Sequence, residues 1–107
     1  MMVMETVLAP PTAESDDQSS RDRAAAIARA FADPKRLCVL ERLAGGELSV
    51  SELSREVGCH VPNMSQHLAV LRQSGLVRSR REGTTVLYRL ADDRVLEAYR
   101  MLQQIAG

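Results

Sequence analysis

The chain has 107 residues, of which 45% are hydrophobic and 26% are charged, and its formal net charge is zero. This length fits one domain that folds without metal or disulfide support. No apolar run approaches the roughly 20 residues that span a bilayer, and the N-terminus has neither a basic leader nor a signal-peptide core. We therefore expect a cytoplasmic protein with no membrane partner, in which Cys38 and Cys59 are reduced thiols.

The charge is distributed unevenly along the chain. The first twenty residues contain four acidic residues and no Lys or Arg, so residues 21–107 hold 14 basic and 10 acidic residues, a net charge of +4. The N-terminal stretch "METVLAPPTAESDDQSS" mixes Pro, Ser, Asp and Gln without apolar periodicity. We predict a disordered acidic arm over residues 1–20 and one folded domain over residues 21–107.

Helical patterns begin after Ser20. A first amphipathic helix is predicted by the spacing of Ala24, Ile27, Ala28 and Phe31. Asp33 followed by Pro34 is typical of an N-cap and a first helical residue, so a second helix starts there and ends before Gly45.

Two further helices are predicted on either side of a glycine turn. Ser49 with Glu52 three residues later forms a capping-box pattern, which opens a third helix that ends at Gly58. The fourth helix is predicted from about Val61 to Ser74 and is ended by Gly75. Its expected core stripe is Met64, Leu68 and Leu71.

The period of the pattern changes after Gly75. The residues "LVRSRREGTTVLYRL" alternate, pause at Glu82-Gly83-Thr84 and resume with β-favouring side chains, which predicts a β-hairpin. Asp92 or Asp93 then caps a last helix. Its apolar positions are Val95, Leu96, Tyr99, Leu102 and Ile105. The element order α-α-α-α-β-β-α predicts a mainly α fold with a β-hairpin wing, a winged helix-turn-helix.

Cations are concentrated between Asn63 and Leu90, a stretch that contains five arginines and a single acid, Glu82. Asn and Gln on the outer face of the fourth helix can bond bidentately to adenine in the major groove, while Ser and Arg suit phosphates. We therefore predict that this helix reads bases of double-stranded DNA and that the hairpin holds the DNA backbone. The predicted DNA-binding residues are Asn63, Ser65, Gln66, His67, Arg72, Arg78, Arg80, Arg81, Thr84 and Arg89. For His67, a hydrogen-bonded structural role is the alternative.

Four segments taken together resemble the ArsR/SmtB family of bacterial repressors. They are "FADPKRLCVLERL", "LSVSELSREVG", "NMSQHLAVLRQSGLVRSRREGTTVLYRL" and "ADDRVLEAYRML". The resemblance implies a homodimer whose first and last helices form the subunit interface. It also implies an operator-bound state that ends when an inducer binds, and a recognition helix that contains Ser65 to Leu68.

The usual metal ligands of that family are replaced in this sequence. Ser49 and Ser51 stand where arsenic and heavy-metal sensors carry a Cys-x-Cys pair. Arg94 and about Ile105 stand at two positions where zinc sensors carry histidines. We predict no metal site, and no cofactor is evident.

Cys38 and Cys59 are the remaining soft nucleophiles and the candidate sensing residues. Cys38 lies early in its helix, where free backbone N–H groups and Lys35 or Arg36 could lower a thiol pKa. Their match to the persulfide- and oxidant-sensing members is partial, because Cys38 lies a turn too early and no cysteine follows Cys59. Buried structural thiols are the alternative interpretation.

The sequence predicts a DNA-binding transcriptional repressor that releases its operator on sensing an inducer, with reactive sulfur or an oxidant as the first candidate. The alternatives are a metal- or metalloid-responsive repressor with a non-standard site and a winged helix that serves protein assembly. An enzyme is not expected, since we find no nucleophile with a base motif, no phosphate loop and no paired catalytic carboxylates.

Overall fold

A computed structural model describes residues 11–107. Its elements, in chain order, are α1 (Pro11–Phe31), α2 (Pro34–Leu43), β1 (Leu48–Ser49), α3 (Val50–Val57), α4 (Val61–Gln73), β2 (Val77–Glu82), β3 (Thr85–Leu90) and α5 (Asp93–Ala106). The predicted order of helices and hairpin is confirmed, with one strand added. None of the helices in this range is both long and apolar enough to span a bilayer.

The first helix starts earlier than the sequence pattern predicts. Residues 11–20 are helical and continue into the amphipathic stretch that ends at Phe31, so the prediction of disorder is wrong for these ten residues. Nucleation is the costly step of helix formation. A helix held by the buried residues Ala30 and Phe31 can therefore extend through polar, exposed positions. The prediction for residues 1–10 lies outside the described residues.

The second and third helices begin as their sequence patterns predict. Asp33 accepts hydrogen bonds from the backbone amides of Lys35 and Arg36 at 2.8 and 3.2 Å, with Pro34 as the first helical residue. Ser49 and Glu52 form the reciprocal capping box, with bonds of 2.8 and 3.2 Å. These caps satisfy amides that the helices themselves leave free.

One hydrophobic core joins all the helices to the wing. Its members are Ala30, Phe31, Val39, Leu40, Leu43, Leu53, Met64, Leu68, Leu71, Leu76, Val77, Val95 and Tyr99. The predicted stripe of α4 is confirmed, because Met64, Leu68 and Leu71 are almost fully buried. The opposite side of α4 is consequently directed to solvent.

The wing is part of a three-stranded antiparallel sheet with the strand order β1-β3-β2. The hairpin pairs Val77 with Leu90 at one end and Glu82 with Thr85 at the other, so Gly83 and Thr84 form the turn. The unpredicted strand β1 pairs Leu48 with Tyr88. Two residues are too few for an alternating pattern, and only the approach of β3 makes them a strand.

Two glycines with left-handed backbone direct the chain at the ends of α3 and α4. Gly58 has φ 77° and Gly75 has φ 83°, a region that residues with a Cβ rarely adopt. After Gly75, the amide of Leu76 donates to the carbonyl of Leu71 at 2.9 Å. This turn sends the chain directly from α4 into β2, and so sets the position of the wing relative to α4.

Candidate nucleic-acid interface

The turn between α3 and α4 is contacted by Lys35, a residue distant from it in the sequence. Its Nζ lies 3.4 Å from the carbonyl oxygen of Val57 and 3.3 Å from that of Gly58. A cation at the C-terminus of a helix satisfies free carbonyls and complements the helix dipole. Lys35 therefore ties the start of α2 to the turn that precedes α4.

Arg36 caps the end of α1 in a similar way. Its Nε and Nη2 donate to the carbonyls of Ala30 and Arg29 at 2.8 and 2.9 Å. In the sequence, Lys35 or Arg36 was the candidate cation for activating Cys38, but in the structure both side chains cap the C-terminal ends of other helices. No local signal marks this role, because the capped carbonyls become neighbours only in the folded chain.

The predicted base-reading residues share the exposed face of α4. Asn63, Ser65 and Gln66 are all exposed, as are Ala69 and Val70 further along the helix. Amide and hydroxyl groups within the first two turns of an exposed helix can reach base edges when the helix lies in the major groove. The exposed face of α4 therefore offers polar groups without a dense layer of charge.

The two histidines lie at the edges of this face. His60 is the N-cap residue of α4, yet its side chain makes no capping hydrogen bond. His67 is half-buried and lies near Asp33. Burial alone raises the pKa of Asp33, but the amides of Arg36 and Lys35 outweigh it and, with His67, hold that pKa below its usual range.

The arginines of the hairpin differ in their surroundings. Arg78 and Arg89 are exposed and directly opposite each other across β2 and β3. Arg81 is exposed opposite Val86, and Thr84 is exposed in the turn. The structure thus places four of the predicted phosphate-binding residues on the surface of the wing.

Arg80 is engaged within the protein. Its Nε and Nη2 donate to the carboxylate of Glu47 at distances from 2.7 to 3.0 Å, and its Nη1 lies 3.4 Å from Glu82. The hydrogen bonds and charge of Glu47 raise the pKa of Arg80, and the bond from Arg80 in turn lowers the pKa of Glu47. Glu47 was not predicted, because 33 residues separate it from Arg80.

Arg72 connects α4 to the wing. Its Nη1 donates to the hydroxyl of Ser79 at 3.3 Å. Arg72 also lines a small cleft between α4 and β3 together with Ser65 and Tyr88. Arg72 therefore links the exposed side of α4 to strand β2 of the hairpin.

Both cysteines are free thiols and half-buried. Cys59 packs against the core in the turn before α4, and its Sγ lies 3.6 Å from the carbonyl oxygen of His60. Cys38 lies on α2 near Tyr99, whose hydroxyl donates to Glu41 at 2.9 Å. Burial, and then the bond to Glu41, raise the pKa of Tyr99. Within residues 11–107, no group of three or more His, Cys, Asp and Glu side chains could hold a metal ion.

A second exposed surface is apolar and lies between α1 and α5. We call it the α1/α5 groove; its volume is about 500 Å³, and it is lined by Ala24, Ile27, Ala28, Phe31, Ala32, Ala98, Met101 and Leu102. Met101, Leu102 and Ile105 are 55%, 44% and 77% exposed. Phe31 lines the groove and also belongs to the core, and Tyr99 belongs to the core, because the apolar stripes of both helices are wide enough to serve both.

The chain is similar to a known domain family and to known transcriptional regulators. A family model described as "Helix-turn-helix domain" matches residues 31–80. The HTH-type transcriptional regulator KmtR of Mycobacterium tuberculosis is 51% identical over 69 residues, which cover 64% of this chain and 53% of KmtR. The Biofilm growth-associated repressor of Agrobacterium fabrum is 40% identical over 105 residues, which cover 91% of this chain and 90% of that protein.

The fold is also similar to a solved structure of a related regulator. The homodimeric winged helix-turn-helix DNA-binding domain of a possible ArsR-family regulator from Mycobacterium bovis superposes with a TM-score of 0.77. It is 34% identical, and the match covers 83% of this chain and 82% of that chain. This chain belongs to the ArsR/SmtB family.

Membership of the ArsR/SmtB family confirms the predicted fold class and the predicted kind of function. The protein is a winged helix-turn-helix transcriptional regulator, and its family and relatives are DNA-binding regulators and not enzymes. The exposed face of α4 and the basic hairpin are the elements of this ArsR/SmtB chain that suit DNA binding.

Proposed function

We propose that this ArsR/SmtB protein represses transcription as a homodimer that reads operator DNA with α4 and holds the DNA backbone with its wing. The observation that carries the proposal is that amide groups and guanidinium groups occupy different parts of the exposed surface. The exposed side of α4 presents Asn63, Ser65 and Gln66, and the adjoining wing presents exposed guanidinium groups. Amide groups suit base edges, and guanidinium groups suit phosphates.

The remaining predicted contacts have different geometries. Arg81 and Thr84 lie towards the hairpin tip, which suits contacts with the backbone beside the groove. His67 is half-buried beside the core stripe and Arg80 is bonded to Glu47, so these two are weaker candidates for DNA contact. We assign both DNA binding and dimerisation to residues 21–107. A protein that binds operator DNA would work in the cytoplasm, where the DNA is.

Selection of duplexes from a random pool, followed by fluorescence anisotropy, tests the base-reading role. Asn63→Ala and Gln66→Ala should relax the base preference, at a cost of about 1–3 kcal/mol for each bidentate bond to a base that the substitution removes. Gln104→Ala is the matched control. It removes an exposed amide from α5, outside α4, and should keep the wild-type base preference. Variants of α4 that discriminate as sharply as the wild type would exclude α4 as the reading element, and a wild type that selects no duplex would exclude the function.

We propose that the α1/α5 groove is the subunit interface. Exposed apolar patches of this kind commonly mark interaction surfaces, and a two-fold dimer covers the same patch on both copies. The homodimeric M. bovis domain supports a homodimer for this chain. Two α4 helices would then face one duplex at equivalent half-sites.

For the inducer, we propose a thiol-based signal received by Cys38 and Cys59. Cys59 lies in the turn that precedes α4, so a modified sulfur there would have to displace core packing or tilt the reading helix. Cys38 lies close to Tyr99, which joins α2 to α5 through Glu41. Both positions couple a thiol to an element that the proposed repressor uses.

A further inference from the structure

An open basic cleft lies where the end of α4 meets the edge strand β2. It has a volume of about 470 Å³ and is lined by Arg72, Gly75, Val77, Arg78, Ser79 and Arg89. Its three guanidinium groups come from three elements, α4, β2 and β3. We call it the arginine cleft.

Two positively charged side chains of the arginine cleft lie next to each other. Arg78 and Arg89 are direct cross-strand partners, an arrangement that destabilises a sheet unless an anion offsets it. The nearest acids are already engaged, since Asp92 accepts bonds from Arg94 at 2.8 and 3.1 Å and Glu47 accepts those of Arg80. Among the described residues, no acid forms an ion pair with a cleft arginine.

The groups of the arginine cleft match the chemistry of a tetrahedral oxyanion. The bond from Arg72 to Ser79 fixes one guanidinium against β2 and leaves its other N–H groups available. The forked N–H groups of arginine match the oxygens of a phosphate. Gly75 has no side chain to fill the cleft, and the space around its would-be Cβ is open within 4 Å.

We propose that the arginine cleft binds one phosphate of the DNA backbone, shared by Arg72, Arg78 and Arg89, and that Arg80 takes no part. The proposal rests on the proposed function, because it assigns one phosphate to the same DNA-binding surface. It differs from a general basic surface in a measurable way. If three arginines share one phosphate, removing two of them releases at most that one phosphate, whereas two independent arginines would release two.

The salt dependence of DNA binding tests the proposal. A nonspecific duplex is titrated with wild type, Arg78→Gln, Arg89→Gln and the double variant over a range of salt concentrations. Each neutralised phosphate contributes about 0.9 to the slope of log K against log salt. Each single variant leaves two arginines on the phosphate and should lower the slope by less than that amount per protomer. The double variant, in which Arg72 alone remains, should lower it by about that amount and no more.

Arg80→Gln is the matched control, since it removes an arginine from the same strand that Glu47 already neutralises. Its slope should equal that of the wild type. A decrease of the slope by about 1.8 per protomer in the double variant, which corresponds to two phosphates, or any decrease in Arg80→Gln, would overturn the proposal while leaving DNA binding intact. A wild type that binds no duplex would instead overturn the proposed function.

Inorganic phosphate provides a measurement without DNA. At constant ionic strength, phosphate in place of chloride should shift the NMR amide signals of Gly75, Ser79 and Arg89 in the wild type and not in the double variant. Absence of these shifts would overturn the proposal. Phosphate-induced shifts combined with an unchanged DNA salt slope would also overturn it, because the cleft would then take a free anion and not the DNA backbone.

Discussion

Glu47 and Arg80 form a bidentate ion pair between the segment before β1 and the outer strand of the wing, with a closest N–O distance of 2.7 Å. The pair joins residues 33 positions apart and balances one of the wing's charges within the protein. The sequence predicts one basic region of five arginines, but of these five only Arg80 forms an ion pair with an acid of the described residues. In the sheet, Arg80 pairs with Leu87 of β3, whose other neighbour is Ser49 of β1.

Glu47→Gln should release Arg80 towards DNA. Removing the carboxylate leaves a guanidinium with only the longer contact to Glu82, so we expect tighter binding to a nonspecific duplex. The salt slope should become steeper by up to about 0.9 per protomer. Glu82→Gln is the control, because its contact with Arg80 is 3.4 Å and exposed. Weaker binding by Glu47→Gln would mean that the pair positions the wing and does not withhold charge.

Asp33→Ala should destabilise the fold, because it removes the N-cap of α2. Removal of such a cap costs about 1 kcal/mol, measurable as a lower urea midpoint with an unchanged m-value. Because the pKa of Asp33 is lowered in the fold, its contribution is full above about pH 3.9, the usual Asp pKa, and is lost as pH falls through the lowered value.

The stability difference between wild type and Asp33→Ala should therefore shrink in acid. Asp33→Asn should retain most of the cap at neutral pH, since asparagine caps as well as aspartate. Asp93→Ala, which removes an acid from the first turn of α5 and not the cap, is the control. A stability difference that is independent of pH would contradict the role of the charged carboxylate.

Gly75→Ala should cost stability and displace the wing. A Cβ at φ 83° is strained although the surrounding space is open, so we expect a decrease in stability of about 1–2 kcal/mol. Gly45→Ala is the matched control, because its Cβ would make only an ordinary 3.7 Å contact with the carbonyl of Arg42. Thermal denaturation measures the decrease, and equal effects at the two glycines would refute the backbone explanation.

Leu102→Glu should convert the dimer into monomers. A charge placed in the α1/α5 groove would be buried without a partner in the assembled protein, which is costly. Sedimentation at micromolar concentration would detect the change. Gln104→Glu adds the same charge to α5 outside the lining of the groove and should remain dimeric. Dissociation of both variants alike would move the interface away from the groove.

The variant with Cys38→Ser and Cys59→Ser should keep operator binding but no longer respond to the inducer. Wild type, each single variant and the double variant are assayed for release by persulfide, peroxide, arsenite and zinc. We expect persulfide or peroxide to release the wild type and not the double variant, since a hydroxyl is not a soft nucleophile. Equal release of the wild type and the double variant by a given agent would exclude these thiols as its sensors.

Most local structure could be predicted from the sequence because its causes are local. The Asp33-Pro34 start, the Ser49 and Glu52 capping box and the glycine at the end of α4 act within a few residues. Periodicity likewise determined which side of α4 is buried around Leu68. These signals were sufficient for the winged helix-turn-helix and for the exposed amides that suit base reading.

The tertiary structure decided what each charge does. Lys35 caps the turn after Val57, and Arg80 is bonded to Glu47, because folding brings together groups that are 22 and 33 residues apart. Strand β1 exists only because β3 lies beside it. Local propensity specifies helices, turns and faces, whereas the partner of a long charged side chain depends on which distant segments the core brings together. That is why the sequence predicted a basic wing, and only the fold showed that Arg80 is paired with Glu47, whereas Arg78 and Arg89 form no ion pair with an acid of the described residues.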